Sequence, residues 1–229
     1  MAPDHFLVGI DCQPEVQNLT IQIDTQGGEK SGLVEVHQPD TGLVTNICGD
    51  TWGGTEATVV CREMGFDGEP AIPLEINENL LQLRQDLPVE LSDVECEGSE
   101  RGLEQCVYPP LGYGACEETR GKAGVVCSTS DVGLRISPLG STGNHEGWVE
   151  INLLGRWWDA VHPMWTGAEA TVFCRSLGYR WGAAGKGWFG RKGRIKGVWS
   201  LDGGCSGHEA SFTGVQHFKM APALSPNGR

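Results

Sequence analysis

Apolar and polar residues alternate from Leu19 to Ile23, the period of two that a half-buried strand requires, and predict a strand there. Gly27-Gly28 breaks it, and Gly32 to Val36 (GLVEV) predicts a second strand. The same order returns downstream as Gly133-Leu134-Arg135-Ile136, a Gly- and Ser-containing turn at Leu139 to Gly143, and Gly147 to Ile151. Each pair of strands is followed by a switch to helical spacing. Ala170, Phe173, Cys174 and Leu177 fall on one face of a short helix. Thr166 stands as its cap with Glu169 three residues on, a capping box, and Gly178 follows as the left-handed terminator. The earlier copy runs Gly53, Glu56, Ala57, Val60, Cys61, Met64 and Gly65, so Cys61 and Cys174 both point inward.

The chain is therefore a repeat. CREMGF at Cys61 to Phe66 returns as CRSLGY at Cys174 to Tyr179, each with a Trp nine residues upstream, Trp52 and Trp165. A C-x-G-x-E segment follows in both, at Cys96 to Glu100 and at Cys205 to Glu209. The offsets, 174 − 61 = 113 and 205 − 96 = 109, are too long for a solenoid and suit two small domains in tandem. The divisions read as an N-terminal extension at 1–15, a first domain at 16–129 and a second at 130–229 that lacks a C-terminal part. Ser128 to Val132 is the hinge, short enough to limit relative freedom.

Domains of this size bury a modest core, and covalent staples would reinforce it. Nine cysteines with no C-x₂-C or C-x₄-C pair point to disulfides rather than zinc, and so to an oxidising compartment. No run of eighteen apolar residues is present, and Met1 to Ile10 lacks the basic start and long apolar stretch of a signal peptide. Asn18-Leu19-Thr20 is an acceptor sequon for N-glycosylation at Asn18. Charge divides the halves. Residues 1–130 hold 23 acids and 6 Lys or Arg, a balance of −17, and residues 131–229 hold 7 acids and 11 bases, a balance of +4. That asymmetry points to attraction between domains or between molecules, and the acidic half argues against nucleic acid as a partner.

The ordered segments of the first copy are Gly32 to Val36, Ile47-Cys48-Gly49-Asp50-Thr51-Trp52, Val59 to Gly65, Leu91 to Glu100, Leu103 to Cys106 and Ala123 to Cys127. Over about 110 residues they resemble the scavenger receptor cysteine-rich (SRCR) domain. The resemblance implies an α+β fold for each copy, a short curved antiparallel sheet cradling one helix and stapled by disulfides. Ser31 and Phe66 stand where the eight-cysteine form of the family has cysteines, so the first copy is similar to the six-cysteine form. Carried over residue by residue, the family's bridges are Cys48–Cys116, Cys61–Cys127 and Cys96–Cys106. The second copy departs from the pattern, with Val161 and Val215 at the places of Cys48 and Cys106. Cys174 and Cys205 thus lose their expected partners, Cys12 has none, and nine is odd. Either Cys174 is a small buried hydrophobe, or it bridges to another chain or to a further C-terminal part.

Some members of the family bind a cation, usually Ca²⁺, through acids after the V-C and the Glu of C-x-G-x-E. Here Asp50 and Glu100 match, Gly49 replaces the other acid, and Asp93 lies near in sequence. Either these three hold an ion weakly or they are solvated loop acids. His162 and Pro163 replace the acids in the second copy, where no such site is expected. A second candidate is the run from Lys186 to Lys196, in which Lys186, Arg191, Lys192, Arg194 and Lys196 interleave with Trp188, Phe189 and glycines. It suits a polyanionic ligand, docking onto an acidic domain of another copy, or plain solvated surface. No G-x-S-x-G, H-E-x-x-H or P-loop is present, so catalysis is not expected. The reading is a non-catalytic extracellular module, secreted or at the cell surface, that recognises proteins or polyanionic glycans. The alternatives are a structural subunit of an extracellular assembly and the accessory portion of an extracellular enzyme.

Overall fold

The structure, a computed structural model, describes residues 18–24, 30–68, 71–76, 87–114, 116, 121–138, 145–160, 165–185, 198–201, 204–212 and 218–221, the segments 198–201 and 218–221 by backbone alone. The first repeat supplies β1 (Thr20–Asp24), β2 (Ser31–Gln38), β3 (Leu43–Ile47), α1 (Gly54–Glu63), β4 (Ile72–Ile76), β5 (Val89–Leu91) and β6 (Lys122–Val126). The second supplies β7 (Gly133–Pro138), β8 (Gly147–Leu153), β9 (Arg156–Asp159), α2 (Gly167–Ser176), β10 (Val198–Leu201) and β11 (Phe218–Ala221). Between them Thr129–Asp131 forms a single 3₁₀ turn, opened by Ser128, whose hydroxyl accepts the Ser130 N–H at 3.4 Å.

Both helices are bounded by local chemistry. Thr166 accepts the Ala168 N–H at 3.1 Å, while Glu169 accepts the Thr166 N–H at 2.7 Å. In α1, Gly53 has no side chain to cap with, but Glu56 still accepts the Gly53 N–H at 3.0 Å. Both helices end on a left-handed glycine, Gly65 (φ +85°) and Gly178 (φ +87°). The chain then turns back so that Phe66 N–H reaches the Cys61 carbonyl and Tyr179 N–H the Cys174 carbonyl.

The strands build an eight-stranded sheet in the order β10-β11-β4-β6-β2-β3-β5, with β1 also on β2, and a three-stranded sheet β7-β8-β9. The resemblance implies a curved antiparallel sheet in each domain, and most strand pairs are antiparallel. The large sheet is nonetheless mixed, because β5 runs parallel to β3 and β11 parallel to β4. It also takes strands from both repeats, since Met220 of β11 pairs with Leu74 of β4.

Register sorts this sheet into two faces. Val34, Val36, Ala123 and Val125 point to a core with Ile47, Trp52, Ala57, Val60, Cys61 and Leu103, closed by α1. Trp52 is fixed there by its indole N–H, which donates to the Gly124 carbonyl of β6 at 2.9 Å. Leu33, Ile72, Leu74, Ile76 and Val126 point the other way. They pack in one cluster with Ile151, Leu153, Leu154, Trp158, Val172, Phe173 and Phe212 of the second repeat. All five residues of β4 are consequently buried.

The two repeats stabilise their interiors differently. The first carries disulfides Cys48–Cys116, Cys61–Cys127 and Cys96–Cys106, with Cα–Cα separations of 5.7, 5.3 and 4.7 Å. The second keeps Cys174 and Cys205 as thiols, Cys205 buried and Cys174 half-buried. In their neighbourhood Trp165, Phe173 and Phe212 form an aromatic trio with ring centroids 5.3–6.0 Å apart. By the repeat offsets, Phe173 stands at the place of Val60 and Phe212 at that of Leu103. Larger rings thus occupy the repeat that has fewer staples, each contributing contact area and favourable edge-to-face geometry.

Candidate functional site

The C-x-G-x-E loop is held in both repeats by the same three side chains. Glu56 uses one carboxylate oxygen on the Gly53 N–H and the other on the Cys96 N–H, at 3.0 and 3.1 Å. Glu169 does the same for Thr166 and Cys205, at 2.7 and 2.8 Å. From the far end of the helix, Arg62 donates to the carbonyls of Gly98 (3.0 Å) and Glu100, and Arg175 donates to the carbonyl of Gly207 at 2.6 Å. Finally the loop's own Glu closes it. Glu100 accepts the N–H groups of Glu97 and Gly98 at 2.6 and 2.7 Å, and Glu209 accepts those of Ser206 and Gly207 at 2.7 and 2.9 Å.

These contacts explain the local acid–base chemistry. The backbone N–H of Ser206 leads a set of donors that lowers the Glu209 carboxyl to about 2, and the N–H of Glu97 leads those that lower Glu100. Burial works against ionisation of Glu169, but the Thr166 hydroxyl and the amides outweigh it, and its carboxyl is also lowered. Burial pushes the Cys205 thiol up to about 11, with the nearby carboxylates of Glu209 and Glu169 adding to the effect. Cys174 is raised by burial alone. Neither thiol is a ready nucleophile at neutral pH. The sequence pattern marks Glu169 only as a cap and gives no role to Arg62 or Arg175. A signal is still present, since both helices carry Glu at their third position and Arg directly after the Cys.

Among the described residues, the side-chain oxygens of Asp50, Asp93 and Glu100 do not gather within 4.8 Å. Asp93 is exposed, in a left-handed conformation (φ 50°), and accepts from the Ser92 hydroxyl at 2.7 Å. Both oxygens of Glu100 already accept amides of its own loop. Glu100 does lie with Cys96 and Cys106, but those sulfurs form a disulfide and are not ligands. Of the acids expected to hold Ca²⁺, Glu100 is thus engaged in shaping its own loop. Asn18 of the sequon is exposed, directly ahead of β1. Lys186, Arg191, Lys192, Arg194 and Lys196, like Cys12, lie outside the described residues.

What the described surface does offer is a contrast after each helix. Behind α2 the chain exposes Tyr179 (40%), Arg180 and Trp181 (72%), with Arg175 also exposed on the last turn. The equivalent turn behind α1 reads Phe66-Asp67-Gly68, where Asp67 pairs with Arg62 at 3.3 Å and Lys30 lies 5.4 Å over the Phe66 ring. One structural position is thus internally neutralised in the first repeat and cationic and aromatic in the second. The first repeat exposes Val107 (72%) and Tyr113 (75%) instead. Val107 bridges to the exposed Glu95, and Gly112 bonds to Glu90. Negative charge is dense here. Burial and then Glu104 raise the Glu63 carboxyl, and the same two causes raise the Tyr108 hydroxyl.

Residues 25–128 and 139–224 both match the scavenger receptor cysteine-rich domain family. The chain belongs to that family, as a tandem pair of SRCR domains. It is 30% identical over 184 residues to the egg peptide speract receptor of Strongylocentrotus purpuratus, covering 77% of this chain and 34% of the receptor. The chain thus spans about a third of that relative's length. Among solved structures it is similar to the third SRCR domain of murine neurotrypsin, with 29% identity and a TM-score of 0.40 over 48% of this chain and 96% of that one. It is also similar to the dimeric form of the SRCR domain of mouse MARCO, with 28% identity and a TM-score of 0.34 over 43% and 86% of the two chains. SRCR domains are non-catalytic modules that bind proteins and other ligands, and together with the disulfides they indicate an extracellular location. Among the described residues no helix is long and apolar enough to cross a membrane.

Proposed function

We propose that this pair of SRCR domains is a recognition module that binds polyanionic surfaces through its second repeat. The observation that carries the reading is the exposed Tyr179-Arg180-Trp181 turn beside Arg175, five residues ahead of the cationic run that begins at Lys186. Arg presents a planar fork to sulfate and carboxylate, and aromatic faces pack on the apolar sides of sugar rings, so the two residue types together suit an acidic glycan. Immobilised dextran sulfate tests it. Binding should weaken about tenfold or more when Arg191, Lys192 and Arg194 become Ala, and again when Trp181 becomes Ala. It should also fall as salt rises, since exposed charge contacts are screened over about 8 Å at physiological ionic strength. Binding that ignores both changes would sink the proposal.

A second reading is favoured by Val107 and Tyr113, both exposed, with Glu95 bridged to Val107 and Glu90 bonded to Gly112 next to Tyr113. This surface suits a basic protein partner, including the cationic run of another copy, and so an extracellular assembly. The similar speract receptor is by its name a receptor for an egg peptide, which is compatible with recognition of a protein ligand. Sedimentation at low and high salt separates the two readings. Self-association that Tyr113→Ser abolishes supports assembly, and a monomer under all conditions removes it.

A further inference from the structure

A small sheet with a helix packed on one face commonly leaves the other face to water. The first repeat does not follow that rule. Its own helix packs on the Val34, Val36, Ala123 and Val125 face, yet Leu33, Ile72, Leu74, Ile76 and Val126 on the opposite face are all at most 2% exposed. They share one buried cluster with residues of the second repeat, Trp158, Phe173 and Phe212 among them. Main-chain pairing of β11 with β4 continues the contact at the sheet edge.

We propose that this outer face is a docking surface for an SRCR-type repeat, and that the second repeat docks on it through its own core, so that the two open together. Three observations identify the occupant. The short connection between β6 and β7 contains one closed turn and leaves little slack for separation. The second-repeat members of that cluster include Phe173 and Phe212, larger than the Val60 and Leu103 that stand at the equivalent positions of the first repeat. The second repeat also has no disulfide among the described residues, and Cys205 lies in the shared cluster, so its packing there depends on the partner face. This proposal is independent of what the protein binds.

The thiol supplies the test. In the intact chain with its three disulfides, Cys205 should resist iodoacetamide at pH 8, and Leu74→Ala in the first repeat should speed its alkylation about tenfold or more. Reciprocally, Phe173→Ala should speed hydrogen exchange in β4 and β6, because coupling between two sites acts equally in both directions. If Leu74→Ala does not fold, Ile76→Val removes a single methylene and should still speed alkylation about threefold. A Cys205 rate unchanged by substitutions at Leu74 or Ile76 would overturn the proposal, as would two independent unfolding transitions for the two repeats.

Discussion

Glu169 accepts the backbone N–H of Cys205 at 2.8 Å across 36 residues of chain, and Glu56 makes the equivalent bond to Cys96 at 3.1 Å. The bond persists whether the cysteine is oxidised, as Cys96 is, or a thiol, as Cys205 is. The helix start therefore anchors the C-x-G-x-E loop through a carboxylate, and the disulfide is an addition to that anchor in one repeat only.

Glu169→Gln should destabilise the protein by about 1–3 kcal/mol. An amide keeps one acceptor but turns an NH₂ group toward an N–H that Glu169 now satisfies, leaving a buried donor unpaired. Urea unfolding followed by tryptophan fluorescence would measure the loss.

Acid should loosen the same loops. Glu100, Glu169 and Glu209 all have folded-state carboxyls below the ordinary range, Glu209 at about 2. A lowered folded value means the contribution is complete above the unfolded value, about 4.3, and is lost as pH falls through the folded one. The melting temperature should hold steady down to about pH 5 and then fall progressively toward pH 2. Replacing Glu209 with Gln should flatten the lower end of that profile.

Removing Cys61–Cys127 by paired substitution to Ala should cost about 2–4 kcal/mol, because the bridge closes a long loop and restricts the unfolded chain. The sequence separation is 66 residues, and both cysteines are buried, Cys61 on α1 and Cys127 directly after β6. Comparison of denaturant midpoints with and without the pair checks it.

Gly182→Ala should be destabilising by about 1–3 kcal/mol through overpacking. A Cβ at Gly182 would collide with the Ala170 carbonyl and the Cys174 sulfur, and the Gly182 carbonyl also accepts the Thr171 hydroxyl at 3.1 Å. Alkylation of Cys174 should accelerate in the variant, and thermal unfolding should give the magnitude.

Calcium at ~10 mM should leave the melting temperature unchanged, because a ligand stabilises only where a site binds it within that range. Among the described residues Asp50, Asp93 and Glu100 form no three-ligand cluster, and Glu100 is engaged by two amides. A rise abolished by Asp50→Ala would reinstate the cation site.

The amino-acid order alone determined the repeat, the two helices with their caps and left-handed ends, and the first strands of each copy. These are local matters: alternation, 3.6-residue spacing and the demand for glycine at positive φ act within about ten residues. The resemblance to SRCR domains then supplied the three cysteine pairs seen in the structure. The tertiary structure decided the rest. Nothing in the pattern Ile72-Pro73-Leu74-Glu75-Ile76 says that all five residues will be buried, or that Ile72, Leu74 and Ile76 will share a cluster with the second repeat. Glu100 has the spacing of a cation ligand, yet three-dimensional closure of its loop directs both oxygens to backbone amides. In each case the deciding contact joins groups whose competition for a partner is settled only when the chain is folded, where a buried or converging polar group takes the nearest donor that removes its desolvation cost.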